Sequence, residues 1–380
     1  MRILIACDKY KGSLSALEVC SIIEEALKSI DTGIEVINSP MADGGEGTVK
    51  TLVESRNGQY VTTGVKGPLG EDIEATFGII GGDTAVIEMA AASGMWLLCR
   101  ERLNPMETTT YGTGQMISEA LDRGARRVIV GIGGSASTDG GMGMAQALGV
   151  KFFAKDGKEL GFGGKQLAGV ASIDTTGLHP GVQDTRFDVA CDVDNPLTGK
   201  QGAAYVYSPQ KGADQKMVEQ LDFGLKNFAK VIKKTLGVHV DRMKGAGAAG
   251  GLGAGLAAFL GAKLRPGTDI IIEATGLEEK IQGCDLAITG EGAIDEQTFY
   301  GKSAYGVAGL GKKHSVPVIS INGSVFLDRE KIDKKYADLF SGNFSIINRP
   351  MDLDEALSES RQLLRAMARE LIIFYLNTRS

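Results

Sequence analysis

Again and again along this chain a short apolar run is followed at once by a loop rich in glycine and acid, and then by a stretch of helical period. Parallel strands need a crossover between them, which a helix supplies. This order therefore points to an α/β protein with mostly parallel sheets. Arg2 to Cys7, Ile34 to Asn38, Thr84 to Met89, Arg127 to Val130, Phe187 to Cys191, Asp285 to Thr289 and Val316 to Ile321 read as strands. Ser15 and Glu18 have capping-box spacing, so a helix is expected from there to about Ser29. Further helices are expected over Thr48 to Ser55, Gly114 to Arg123, Met142 to Leu148 (closed by Gly149), Tyr305 to Lys312 and Leu353 to Leu376. Two β-type segments, Tyr60 to Val65 and Glu74 to Ile80, flank a Gly67–Gly70 turn and break the alternation.

Glycine supplies 53 of the 380 residues, about twice the usual ~7%. With no collagen period, it serves tight turns and close backbone approach. The net charge is −6 and no basic stripe is visible, which argues against a nucleic-acid partner. The five cysteines are widely spaced and form no C-x-x-C, so neither a disulfide framework nor a zinc ribbon is expected. The opening apolar run, Ile3 to Cys7, is too short for a signal peptide.

Gly245 to Ala262 is uncharged for 18 residues, yet 14 of them are Gly or Ala. Only Leu252, Leu256, Phe259 and Leu260 are large, too few for a membrane span, and their spacing reads as one buried helix face. A cytoplasmic protein without a membrane partner is expected, with a homo-oligomer left open. The length suits two domains. Residues 1–65 plus 285–380 read as a discontinuous α/β domain and 66–284 as an inserted one.

In open α/β sheets ligands bind outside the carboxyl ends of strands, so the loops there are the candidates. The loop after Val130 runs Gly131 to Gly143 and holds six glycines, Ser135, Ser137, Thr138 and Asp139 before a helix. Backbone N–H groups and a helix start make it a candidate anion cradle. After Thr289 come Glu291, Asp295, Glu296, Gln297 and Thr298, then Gly301-Lys302-Ser303. The last three resemble the end of a P-loop, but Glu296 stands where its first glycine belongs, so a Walker A reading fails. The first strand leads into Asp8, Lys9, Tyr10, Lys11, Gly12 and Ser13; lysines at a helix start oppose its dipole unless an anion lies between them. Asp43 and Glu46 precede another helix. Asp192, Asp194 and Asn195 follow a strand, a set that fits a metal, a hydroxyl or an Asx turn.

Gly245, Gly247 and Gly250 match G-x-G-x-x-G behind a short expected strand at Val238 to Val240, the one feature favouring a nicotinamide oxidoreductase of a small hydroxy acid. The three histidines are isolated, and G-x-S-x-G is absent. What remains is acids, lysines and oriented amides, the parts that phosphoryl transfer needs. A non-catalytic anion-binding protein would use the same parts.

Together these segments resemble the bacterial glycerate kinases of the first type. The resemblance is carried by Asp8 to Ser13, Met41 to Thr48, Tyr111 to Gly114, Gly133 to Gly141, Cys191 to Leu197 and Gly290 to Asp295 with Gln297 and Thr298. It implies ATP-dependent phosphorylation of D-glycerate, most often at the 2-hydroxyl, with the 3-phosphate as the alternative product. It also implies two α/β domains, one flavodoxin-like and one restriction-endonuclease-like, with the active site in the interdomain cleft.

On this reading Gly131, Gly133, Gly134, Ser135, Ser137, Thr138, Asp139, Gly140 and Gly141 cradle the ATP phosphates. Lys9 and Lys11 bind the glycerate carboxylate or the migrating phosphoryl. Mg²⁺ falls to Asp192, Asp194 or Glu291, Asp192 counting among the catalytic candidates as well. The hydroxyl base is Asp8 or Asp295, and Ser13, Asp43, Glu46, Asn195 and Lys302 are the substrate-binding candidates.

Overall fold

The computed structural model of the chain describes residues 1–296, 298, 301–327 and 338–379. β1 (Arg2–Cys7), α1 (Ala16–Lys28), β2 (Glu35–Asn38) and α2 (Thr48–Ser55) come first. β3 (Gln59–Lys66), β4 (Asp72–Ile80), β5 (Thr84–Glu88), α3 (Ala90–Ser93), α4 (Tyr111–Asp122), β6 (Arg127–Gly131) and α5 (Met142–Ala147) follow. Next are β7 (Lys151–Phe153), β8 (Ser172–Asp174), β9 (Arg186–Ala190), α6 (Ala203–Tyr207), α7 (Gln215–Leu236), α8 (Ala248–Leu260) and β10 (Lys263–Arg265). The chain continues with α9 (Gly267–Thr275), α10 (Leu277–Ile281), β11 (Leu286–Gly290), β12 (Ala293–Ile294) and α11 (Ser303–His314). It closes with β13 (Val318–Asn322), β14 (Ser324–Val325), β15 (Gly342–Ser345) and α12 (Leu353–Arg379).

The residues divide into two compact units. The first holds Met1–Asp43, Glu54–Arg56 and Thr268–Ser380; the second holds Gly44–Val53 and Asn57–Gly267. These limits differ from the expected 65/66 and 284/285. A cut at 65 would sever β3 from β4, with which it pairs antiparallel from Gln59↔Ile79 to Lys66↔Asp72. The other boundary moves upstream because α9 packs on α11: a Cβ on Gly306 would lie 2.6 Å from the Thr268 Cγ2 methyl.

The first unit is built on a parallel sheet in the order β15-β13-β11-β1-β2. Counted within the unit this is 2-1-3-4-5, the flavodoxin-like order, whose switch point lies between β1 and β11. Ile3, Leu4, Ile5, Ala6 and Cys7 are all fully buried, so both faces of β1 are covered and its sequence is a continuous apolar run rather than an alternation. Ile3, Ile5 and Cys7 join the core formed with α1 and α12, while α11 packs across β1, β11 and β13. The capping box of α1 is present: Ser15 Oγ accepts from Glu18 N, and Glu18 Oε2 accepts from Ser15 N.

The second unit carries a mixed sheet, β10-β9-β6-β5-β4-β3, parallel from β10 to β5 and antiparallel through the β4–β3 hairpin. Its core draws on α7, a 22-residue helix that the loop-centred sequence reading leaves out. Val218, Leu221, Leu225, Phe228 and Ile232 recur at helical spacing and are buried. The expected strand at Val238 to Val240 is irregular chain. α8 is buried nearly all round rather than on one face, with left-handed backbone at Ala249, Gly250 and Gly251. Its small residues allow this: a Cβ on Gly250 would lie 2.0 Å from Ser137 O, and one on Gly255 2.7 Å from Gly140 O. Among the described residues, no helix is long and apolar enough to cross a membrane.

Candidate active site

In the first unit, the carboxyl ends of β1, β11, β13 and β15 open into one cavity of about 530 Å³. Asp8, Lys9, Lys11 and Ser13 reach it from the loop after β1, and Glu291 and Asp295 from the loop after β11. Asp43 and Lys302 complete its polar wall. The sequence-expected residues Asp8, Lys9, Lys11, Ser13, Asp43, Glu291, Asp295 and Lys302 therefore meet at the switch point of this sheet. Close approach of β11 to β13 makes this possible: a Cβ on Gly290 would lie 1.8 Å from Ile321 O. Asn322, at the end of β13, accepts from the Glu291 amide through Oδ1 at 3.2 Å.

Asp8 is the buried acid of the cavity, 9% exposed. Ser303, the first residue of α11, donates its hydroxyl to Asp8 Oδ2 at 2.7 Å, and the Lys9 amide donates to Oδ1 at 2.7 Å. Burial, with a second push from the Asp43 carboxylate, raises its pKa from 3.8 to about 6 against those hydrogen bonds and the Lys9 charge. Such a group is ionised at neutral pH yet accepts a proton readily. Lys9 Nζ stands 3.5 Å from Asp43 Oδ1.

Lys302 caps α11 and stands between two carboxylates, 3.4 Å from Glu291 Oε2 and 3.3 Å from Asp295 Oδ1. Burial raises the Glu291 pKa, against the attraction of Lys302 and the Thr298 hydroxyl, which donates to Oε1 at 2.9 Å. Two acids thus converge on one cationic point. Gln297, part of the same sequence segment, lies outside the described residues.

In the second unit, the Gly131–Gly143 loop differs from the expected cradle. Asp139 is fully buried, and its own carboxylate takes the amides meant for an anion. Gly141 N donates to Oδ1 at 3.1 Å, while Gly143 N, Thr110 N and the Thr110 hydroxyl donate to Oδ2 at 3.2, 2.8 and 2.8 Å. Burial raises its pKa despite these bonds. Ser137, Thr138, Gly140 and Gly141 are buried as well, leaving Gly133 and Gly134 as the exposed tip. The start of α5 is thus satisfied from within.

Gly245 to Gly250 has a packing role. Gly250 O accepts from Gly140 N at 3.1 Å, and a Cβ on Gly247 would meet Pro196 O at 2.2 Å. With no strand before it and no open helix start, the dinucleotide reading loses its physical basis, and the oxidoreductase alternative falls with it.

The loop after β9 is exposed over Asp192 to Asp194. Asp192 Oδ1 accepts from Gly267 N at 2.9 Å, and Asp194 is ion-paired with Lys244 at 3.1 Å. Asn195 braces its own loop, donating to Gln201 O and accepting from the Tyr207 hydroxyl at 2.6 Å. Glu46 is exposed. Among the described residues no three or more His, Cys, Asp or Glu gather in a metal-holding group. Of the three alternatives for Mg²⁺, Asp192 and Asp194 belong to the second unit and Glu291 to the first.

Sequence reasoning missed two contributors to the cavity, Ser303 and Asn322, and a buried lysine of the second unit, Lys211. Ser303 orients Asp8, and its place directly after Lys302 was the available signal. Asn322 ends a strand, where polar residues warrant attention. Lys211 lies 76 residues from the Ser135 hydroxyl to which it donates, and no local pattern marks it.

Fold and site define the class: an α/β enzyme whose buried carboxylate and lysines meet at a parallel-sheet switch point. Comparison with known proteins gives the family. The model of the glycerate kinase family matches residues 3–376. A glycerate kinase of Halalkalibacterium halodurans is 46% identical over 98% of this chain and 97% of its own. The glycerate 2-kinase of Escherichia coli K12 is 48% identical over 94% of this chain and 93% of its own. A crystal structure described as a glycerate kinase 2, from Salmonella typhimurium LT2, superposes with a TM-score of 0.91 at 43% identity, over 100% of this chain and 99% of that one. The chain belongs to the glycerate kinase family.

Proposed function

We propose that the protein transfers the γ-phosphoryl group of ATP to the 2-hydroxyl of D-glycerate, giving 2-phosphoglycerate and ADP. The observation that carries this reading is the buried Asp8, raised to about 6, in a cavity that also holds Lys9, Lys11 and Lys302. The Escherichia coli relative's designation as a glycerate 2-kinase supports the 2-position.

Lys9 and Lys11 bind the glycerate carboxylate through charge-assisted hydrogen bonds. Asp8 accepts the 2-hydroxyl proton as the new O–P bond forms and the bond from Pγ to the bridging β–γ oxygen breaks. Positioned general bases contribute roughly 10²–10⁴-fold. We place this role on Asp8 rather than Asp295, because Asp8 is the buried acid of the cavity, held by the Ser303 hydroxyl and the Lys9 amide. Ser303 and the Lys9 amide fix the carboxylate and leave lone pairs for the incoming proton. The exposed Gly133–Gly134 tip presents backbone to the ATP phosphates.

Mg²⁺ needs only one or two protein carboxylates when phosphates supply the rest. Glu291 and Asp295, which already converge on a cation, fit that requirement and would hold it. Bound there it would neutralise charge on the β- and γ-phosphates.

A coupled assay for ADP tests the reading. ADP release that requires both ATP and D-glycerate is expected; equal release without glycerate, or none, removes it.

A further inference from the structure

Lys211 belongs to no motif of the sequence, yet it is 1% exposed. It ends the tight turn Pro209–Lys211, closed by Gly212 at φ +94°, where a Cβ would lie 2.3 Å from Leu103 O. Its Nζ donates to Ser135 Oγ at 2.7 Å and to Ser137 O at 2.5 Å. Both partners are neutral oxygens. Burial lowers its pKa to about 7, with the Asp139 charge acting the other way. An ammonium buried against neutral acceptors is unfavourable, and an apolar side chain of the same length would avoid that cost.

What Lys211 touches gives the reason for keeping it. The inner half of the Gly131–Gly143 loop is held from behind at successive residues. Ala136 N donates to Ser93 O at 2.9 Å, and Ala136 O accepts from the Thr108 hydroxyl at 2.9 Å. Thr138 and Ser208 share a hydroxyl hydrogen bond at 3.0 Å. Asp139 closes the loop onto α5. Lys211 supplies the hold at Ser135 and Ser137, next to the exposed Gly133–Gly134 tip. Ser137 Oγ is buried without a hydrogen-bond partner.

We propose that Lys211 is a positioning residue for the nucleotide: through Ser135 and Ser137 it fixes the segment whose exposed Gly133–Gly134 tip receives the ATP phosphates. This rests on the kinase reading above and adds to it a residue that ligand contacts alone would not reveal.

The test is steady-state kinetics of Lys211→Met with calorimetric ATP titration and thermal melts. The expected result is a KM and Kd for ATP raised tenfold or more, a KM for D-glycerate within twofold of wild type, and a melting temperature not lowered. Ser135→Ala, which keeps the lysine, is expected to raise the ATP Kd several-fold. A folded Lys211→Met protein with wild-type ATP affinity overturns the proposal. So does unchanged ATP affinity in Ser135→Ala should Lys211→Met fail to fold. A wild-type protein that binds ATP without phosphorylating glycerate would remove the kinase reading alone, because the titrations still judge Lys211.

Discussion

Replacing Asp8 by Asn is expected to make the protein more stable and nearly inactive at once. The fold raises the Asp8 pKa from 3.8 to about 6; at 1.36 kcal/mol per unit that is about 3 kcal/mol between its protonated and ionised forms. The folded state holds this proton more tightly than the unfolded chain does. Stability from Asp8 is therefore full below about pH 4 and is lost as pH rises to about 6. At pH 8 the wild type carries the whole cost of a buried carboxylate. The neutral amide of Asp8→Asn carries none, though the variant loses about 1 kcal/mol by weakening the charge-assisted bonds from Ser303 and Lys9 N. The net gain is about 2 kcal/mol at pH 8, shrinking toward pH 4.5. Denaturant melts at both pH values and coupled kinetics at pH 8 measure it. A kcat lowered by at least ~10²-fold is expected for loss of a general base. An Asp8→Asn protein no more stable than wild type at pH 8, or one that keeps more than a tenth of its turnover, refutes the reasoning.

Other substitutions separate binding from scaffold. Lys9→Ala and Lys11→Ala should each raise the KM for D-glycerate by about 10- to 100-fold with a smaller change in kcat, the loss of one charge-assisted hydrogen bond; an unchanged KM would place the carboxylate elsewhere. Asp139→Ala leaves Gly141 N, Gly143 N and the Thr110 donors unpaired in the interior. It should cost about 3 kcal/mol or more in denaturant melts, whereas a folded protein of wild-type stability that has lost only ATP affinity would return Asp139 to ligand binding. Gly290→Ala puts a methyl 1.8 Å from Ile321 O and should lower the melting temperature sharply; an unchanged melt would mean that β11 and β13 can separate.

The part of the site that was legible in the sequence is the part encoded locally. β1 ends in five apolar residues directly before Asp8, and β11 ends at Gly290 before Glu291. In a parallel sheet, strand ends are where ligands bind, so finding the strands located the acids and lysines. The Gly131–Gly143 loop was legible as a loop but not as to what fills it. Its anion is Asp139, held by Thr110 from 29 residues away, and composition cannot distinguish an amide cluster awaiting a phosphate from one already satisfied. Lys211 was hidden for the same reason, since an isolated lysine reads as surface until tertiary contacts bury it. The hairpin around residue 65 joins the second unit's sheet through the pairing of β4 with β5, which its own sequence does not encode.

The most direct test of the account is the chemical identity of the product. Purified protein is incubated with ATP, Mg²⁺ and D-glycerate, and proton-coupled ³¹P NMR follows the new phosphorus signal. A monoester doublet, split by the single proton on C2 and growing in step with ADP, is the expected result. A triplet from the two C3 protons would contradict the placement of the 2-hydroxyl at Asp8, and ADP appearing without any new phosphoester would contradict the account as a whole.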